Sequence, residues 1–293
     1  MYSKGRATRE TPRYTALTVT PVGNRCGKIP NRAVFASPEK GTVPFLMGLS
    51  SGMGDSRRHR GPHPLDEQQF SKAALPTLQD ATRDLSWLRT RGYADPSAIK
   101  LVGDRYQLRG RQRVAVSRCA CSDSARDGRA SKEREPEAMR ARPLMIDGLN
   151  VITTIEVALA GGVLLLGRDG CIRDMASFHG NYRLVHETER AVAILVDVVE
   201  SMNPSKVMVY VDRPVSNSGR LAKIIRATAA AKGSGLEAMT SDRVDETLKA
   251  STAVVATADS AILDSCDDWL NLARIAIEQH PAELDRLWLL ALS

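Results

Sequence analysis

The chain has 293 residues, 43% of them hydrophobic and 4% aromatic, enough for two modest domains with cores of Val, Leu, Ile, Ala and Met. No apolar run approaches the roughly 18 residues of a membrane-spanning helix, and the five scattered cysteines include no CxxC pair, so a membrane partner and a zinc knuckle are both excluded and a reducing, cytoplasmic setting is expected. The net charge of +7 is uneven: residues 1–60 hold 11 Lys/Arg and 3 Asp/Glu, 101–142 hold 11 and 6, and 143–293 hold 14 and 20, so a basic middle joins an acidic C-terminal part.

Residues 1–58 have neither helical nor strand periodicity and are rich in Arg, Thr, Pro, Gly and Ser. A disordered basic extension is expected there. Three origins fit it: a start upstream of a true one at Met47 or Met53, an acid-poor targeting peptide, or a nucleic-acid-binding arm. Residues 59–142 read as a small α-helical domain. Asp66 to Arg91 carries Phe70, Leu78, Ala81, Leu85 and Leu88 near a 3.6-residue period, broken at Pro76 and stopped at Gly92. A second helix starts near Pro96, and a third follows "GDRYQL" with its arginines on the outer face. Residues 122–142 are charged and read as a linker or exposed helix. Cys119 and Cys121 form only a weak CxC motif.

From Pro143 strands alternate with helices, which predicts an α/β/α sandwich with a mostly parallel sheet. "LMIDG" reads as a strand and "VITTIEVALAGG" as a helix. "VLLLGRDG" is a short strand or hairpin, and "CIRDMASFHGNYRLVHETERAVAILVDVVESMN" one or two helices. "KVMVYVDRP" is a continuous apolar strand of the kind buried on both faces. A helix closed by Gly233, a strand at "LEAMTSD", a short helix, the strand "AVVATADSAILD", a helix over "WLNLARIAIEQHP" and an edge strand in "LDRLWLLAL" complete the series.

Three of these strands end on an acid: Asp147, Asp212 and Asp259. Sites in open α/β sheets form at the carboxyl ends of strands, so the three acids should meet. Singly, each is explained as a helix cap or turn residue. Together they would repel, raising the pKa of at least one, unless a divalent cation sits among them. Oxygen donors suit Mg²⁺ or Mn²⁺, which would activate a water for attack on a phosphodiester. Gly148 would let the chain turn away from Asp147, and Asn150 would pin that turn.

"IDGLNVI" resembles the first strand of PIN-like nucleases, especially the NYN branch, in which Asp-Gly-x-Asn opens an acidic site. "VVATADSAILD" is similar to a later strand of that fold, with Thr/Ser-x-Asp and a second acid. The resemblance implies roles for Asp147, Asp259 and Asp264, with Asp212 closing an intermediate strand and Asp174 supplying a helical carboxylate. It thus implies a metal set of Asp147, Asp212, Asp259 and Asp264, and a catalytic set of Asp147, Asp212, Asp259 and Asp174. "GGVLLLGRDG" departs from the family, in which the first strand leads directly into helices. Over about residues 57–293 the chain is also similar to the uncharacterised prokaryotic domain-of-unknown-function 434 family with its companion C-terminal domain. The marks are "RRHRGPHPLDEQQF", "LSWLRTRGYADPSAIKLVGDRY", "GRDGCIRDMASFHGNYR" and "DRPVSNSGRL". That family brings no activity with it.

"DRPVSNSGR" places Arg213, Ser216, Asn217, Ser218 and Arg220 before a helix. Free backbone N–H groups there would bind a substrate phosphate, with Asn150 nearby, or Ser216 or Ser218 would simply cap the helix. His179, just beyond Asp174, reads as structural, and Arg173 and Arg183 as solvated or paired. The expected function is a metal-dependent nuclease acting on RNA or another single-stranded nucleic acid, with phosphate contacts from Arg105 to Arg142. The alternative is a catalytically inactive nucleic-acid-binding module on the same fold. A nucleotide-binding protein is disfavoured by the lack of a GxGxxG or Walker A loop, and an Asp-x-Asp phosphatase by Leu149. A homo-oligomer is left open.

Overall fold

The computed structural model describes residues 59–176, 181–284 and 286–292. The expectations for residues 1–58 and for His179 lie outside the described residues.

Two apolar strands, β1 (Pro143–Asp147) and β4 (Lys206–Asp212), pair in parallel at the heart of the fold, with Ile146 opposite Val209. Beyond β4 lies β5 (Glu237–Ser241), and on the other flank of β1 lie β6 (Val254–Ala256) and β7 (Trp269–Leu270). The order β5-β4-β1-β6-β7 is parallel throughout. In chain order the strands run 3-2-1-4-5, so the winding reverses between β1 and β6, where a crevice opens beyond the strand ends.

Both faces of this sheet are covered, which is why its strands read as apolar runs rather than alternations. Leu144, Ile146, Val207, Val209, Val211, Val254 and Ala256 face one cluster. There they meet α6 (Gly148–Leu159), α7 (Thr188–Met202), α8 (Ser218–Ala231) and α11 (Leu272–Gln279). Met145, Tyr210 and Val255 face the opposite cluster, with α9 (Val244–Lys249) and α10 (Ser260–Ser265).

A second sheet of three strands joins β2 (Val163–Leu166), β3 (Ile172–Asp174) and β8 (Trp288–Ala291) in the order β3-β2-β8. "VLLLGRDG" is therefore the first arm and turn of a hairpin, β2 pairing antiparallel with β3. Two sequence expectations are corrected here. "IRD" of this segment is a strand, because Cys171 and Ile172 are buried and β2 offers an open edge; among the described residues that follow, helix begins at Thr188. "WLNLARIAIEQHP" opens with the edge strand β7 before its helix.

The N-terminal part holds α1 (Asp66–Gln69), α2 (Leu75–Thr90), α3 (Asp95–Arg105), α4 (Gly110–Cys119) and α5 (Asp123–Lys132). Pro76 sits in the first turn of α2, where its missing N–H costs nothing. Leu78, Leu85, Val102 and Val116 pack with Val163, Leu165, Trp288 and Leu290 in one cluster, so α2–α4 cover the outer face of the small sheet. The described residues fall within one compact unit. Among them, no helix is long and apolar enough to cross a membrane.

Residues 122–142 are not a free linker: they carry the largely exposed helix α5, which docks through one buried side chain. Arg129 of α5 is 4% exposed, and its guanidinium reaches Asp169 (2.6 Å) and Asp264 (2.7 and 2.9 Å). Lys132 donates to the carbonyls of Leu263, Asp264 and Cys266, which end or follow α10. Several arginines of the basic segment are engaged in ion pairs, while Arg105, Arg109 and Arg140 stay exposed. Arg111 pairs with Asp66, Arg113 with Asp104, and Arg134 and Arg142 with Asp268.

A candidate active site at the strand ends

Asp147 ends β1 and caps α6: its Oδ1 accepts from the Asn150 N–H (3.3 Å) and its Oδ2 from Thr257 Oγ1 (2.9 Å). Thr257, two residues before Asp259, also receives the Asp259 N–H (3.1 Å). Asp259 caps α10, its Oδ1 accepting from the N–H groups of Ala261 (2.8 Å) and Ile262 (3.2 Å). Asn150 ties the two turns together, its Oδ1 accepting from the Ala258 N–H at 2.8 Å. The cap reading of these acids thus holds, and it fixes the carboxylates in place while leaving Asp259 Oδ2 without a hydrogen bond among the described residues. Gly148 is required by space rather than by the turn: a Cβ there would lie 2.8 Å from Val209 Cγ1 and 2.9 Å from the Tyr210 carbonyl.

These acids line a cavity of about 830 Å³, within the roughly 300–1,000 Å³ range of small-ligand sites. Asp174, Asp212 and Asp264 line it as well, so the cavity gathers all five carboxylates singled out in the sequence, together with Asn150. They fall into two groups. Asp264 is taken by Arg129 through both oxygens. Asp174 ends β3, not a helix, and accepts from Thr154 Oγ1 (2.9 Å) and the Ala176 N–H (2.6 Å), with Arg118 3.5 Å away. Asp147, Asp212 and Asp259 have no cationic partner among the described residues.

The Asp147 carboxyl is held up at about 7, chiefly by burial. The Thr257 hydroxyl and the Asn150 N–H pull it down, and the charges of Asp212 and Asp259 push it further up. Burial therefore outweighs the carboxylate repulsion expected from sequence. Asp212 is half-buried and is also raised, first by burial and then by Asp245.

The helical part also lines the cavity, through Arg89, Tyr93, Ser117, Arg118 and Ala125, and so does Arg173 of β3. Arg173 donates to Asp169 (2.8 and 2.6 Å) and to the Ala258 carbonyl (2.9 Å). Burial raises the Asp169 carboxyl, but Arg173 and Arg129 overcome it and hold the group near 2. Cys121 lines the cavity and Cys119 lies buried close by. Burial pushes the Cys119 thiol up to about 12 and also raises Cys121, so neither is a nucleophile.

The loop before α8 stands apart. Only Val215 of that loop reaches the cavity. Arg213 pairs with Asp242, Ser216 donates to Asn181, Asn217 donates to the Tyr182 carbonyl, and Ser218 donates to the Arg213 carbonyl. Arg220 is exposed. Neither Ser216 nor Ser218 caps the helix; Asn217 holds the capping position in the left-handed region, without a side-chain cap bond.

Among the described residues, no three His, Cys, Asp or Glu side chains are grouped closely enough to form a metal cluster by themselves. The donor chemistry nevertheless fits a hard cation. Mg²⁺ is commonly held by one or two carboxylates, with waters and substrate phosphate filling the other positions. Asp147, Asp259 and Asp212 are the residues that would hold it.

Residues 77–132 match the family model described as a protein of unknown function (DUF434), and residues 136–275 the model described as a domain of unknown function (DUF5616). An uncharacterized protein of Methanocaldococcus jannaschii is 30% identical over 189 residues, covering 64% of this chain and 90% of that protein. No solved structure matches the chain significantly.

Proposed function

The chain belongs to the same uncharacterised family as the Methanocaldococcus jannaschii protein, with a DUF434 segment followed by a DUF5616 domain, and we propose that it is a metal-dependent nuclease acting on RNA. One observation carries the reading: Asp147, Asp212 and Asp259 face a single cavity without a cationic partner among the described residues. Asp147 is buried, Asp212 part-buried and Asp259 exposed, and the buried Asp147 carboxylate without counter-charge is costly unless a cation arrives with the ligand. The resemblance of "IDGLNVI" and "VVATADSAILD" to PIN-like and NYN-type nuclease domains points the same way.

A divalent cation bound there would supply Lewis-acid polarisation of the phosphoryl group and neutralise its charge. The chain's own groups have separable tasks. Asn150 and Thr257 orient Asp147, and the first turn of α10 orients Asp259. Asp212, without a hydrogen bond from another side chain among the described residues and raised by burial, would complete the carboxylate set on the cation. Arg118 lines the same cavity as a counter-charge to phosphate.

The test is hydrolysis of a labelled RNA with Mn²⁺ or Mg²⁺, with and without a chelator. Asp147→Asn and Asp212→Asn should each lower turnover at least about 100-fold, as loss of one electrostatic group commonly does. Wild-type rates in either variant would overturn the mechanism. The absence of a closed three-ligand group among the described residues favours the second reading, a binding module without catalysis. RNA binding without cleavage under any of these metals would establish it.

A further inference from the structure

Four arginines line the cavity, and three are committed. Arg89 makes a two-pronged pair with Asp95 (2.8 and 2.9 Å) and donates to the carbonyls of Ser117 and Ala120. Arg129 and Arg173 hold Asp264 and Asp169. Arg118 differs. Its two terminal nitrogens donate to the carbonyls of Asp174 and Ala176, which lock the guanidinium in place, while its side chain stays 32% exposed. Its acid contact, Asp174, is as distant as 3.5 Å and is already hydrogen-bonded by Thr154 and Ala176.

Tyr93 lines the same cavity, just past the end of α2. It is 54% exposed although it borders a concave site, and its hydroxyl makes no hydrogen bond among the described residues. An exposed aromatic ring on open surface needs no explanation. An exposed ring lining a cavity that also holds an anchored guanidinium and unpaired carboxylates matches the parts of a single-strand nucleotide site: a stacking face and a phosphate contact.

We propose that Tyr93 is a stacking platform for one unpaired base of a single-stranded nucleic acid and that Arg118 receives the phosphate beside it. The proposal rests on the reading of this cavity as a phosphodiester site and names its substrate class. A base enters such a concavity only when it is out of a duplex, so single strands should be bound and duplexes of the same sequence left aside. Helices α2 and α4 then supply recognition, and the strand ends supply chemistry.

The experiment measures binding of the full chain to a short labelled single-stranded RNA by fluorescence anisotropy, with Ca²⁺ supplied as the hard cation for the carboxylates and the RNA checked to be intact after each measurement. The set is completed by a duplex of the same sequence and by an RNA lacking all its bases. Tyr93→Ala should weaken single-strand binding at least about fivefold, the low end of what one stacked base contributes. Tyr93→Phe should retain it, because the ring and not the hydroxyl carries the contact. The base-free RNA should bind weakly and lose nothing further in Tyr93→Ala. Arg118→Gln should weaken both RNAs alike and flatten the salt dependence by about one ion. Both alanine and glutamine variants should melt with the wild type to within a few degrees. Unchanged binding in Tyr93→Ala, an equal loss on base-free RNA, or a preference for duplex would overturn the proposal even if the protein cleaves RNA. A Tyr93-dependent preference for single strands in a protein that cleaves nothing would uphold it and remove the hydrolytic reading.

Discussion

Asp147 brings the chemistry of the site down to one side chain. Its unfolded pKa is near 4, and burial raises the folded value to about 7. The sign follows from linkage: a carboxyl raised in the folded state stabilises the protein fully below about pH 4, and that contribution is lost as pH rises through about 7. Over that window the loss is of order 4 kcal/mol at about 1.4 kcal/mol per unit. Asp147→Asn keeps an oxygen for the Asn150 N–H and cannot ionise. In urea melts with chelator, the variant should therefore gain stability over wild type at pH 8 and show no gain at pH 4.5; an equal difference at both values would refute the account. Added Mn²⁺ should raise the melting temperature of wild type more than that of the variant. Asp147 and Asp212 were legible because each ends an apolar strand, and Asp259 because it follows one closely as the cap of α10; a parallel sheet sends such ends to one edge. Arg118 and Thr154 were not, because both meet Asp174, 56 and 20 residues away, and Tyr93 was not, because only the folded chain brings it to the same cavity. Thr257 left a trace in the Thr-x-Asp spacing.

At the scale of elements, the long strands and helices could be read from period and turn residues, and the failures share one cause. Helix α5 is a polar stretch without an apolar face, so periodicity offers nothing to bury. It docks instead through Arg129, whose burial depends on Asp169 in another element. Strand β3 is three residues long and carries an Arg and an Asp, too short and too polar to distinguish from a helix start. The energetics of the α5 dock can be separated. Asp169 is buried and Asp264 is half exposed, so the two arms of Arg129 are unequal. Arg129→Ala should cost about 3 kcal/mol, the low end of the roughly 3–5 kcal/mol for breaking a buried pair, since Asp169 keeps Arg173. Asp264→Ala should cost under about 1 kcal/mol, as for a solvent-screened pair. Urea denaturation at pH 7 checks both, and a larger loss in Asp264→Ala would reverse the assignment. Asp169, depressed to about 2, gives its stabilisation above about pH 4 and loses it as pH falls toward 2.

For the whole molecule, the change in sequence grammar at Pro143 marks where helices give way to strands, and it leaves open whether the two parts fold apart. The small sheet decides the matter. Val163, Leu165, Trp288 and Leu290 turn one face of β2 and β8 onto Leu78, Leu85, Val102 and Val116 of the helical part, while Leu164 and Ile172 pack the other face toward α6 and α11. A strand with a two-residue period commits alternate side chains to opposite cores, so β2 binds the helical layer and the α/β layer together. Cutting at residue 142 would expose an apolar sheet face on one fragment and a matching helical face on the other. Residues 143–293 expressed alone should therefore aggregate or lack a cooperative melt, and co-expression with residues 59–142 should rescue them. In the full chain, Leu165→Ala removes a wholly buried side chain from that shared core and should cost about 2–5 kcal/mol. Because the core is common, the loss should appear as one transition moved to lower urea, with far-UV circular dichroism and tryptophan fluorescence, to which Trp87 of α2 and Trp269 of β7 both contribute, melting together. Two separated transitions would show independent domains. The same coupling bears on the site: Arg118 and Tyr93 belong to one layer and the strand-end carboxylates to the other, so a variant that loosens β2 should weaken nucleic-acid binding in proportion to the population in which the two layers have parted.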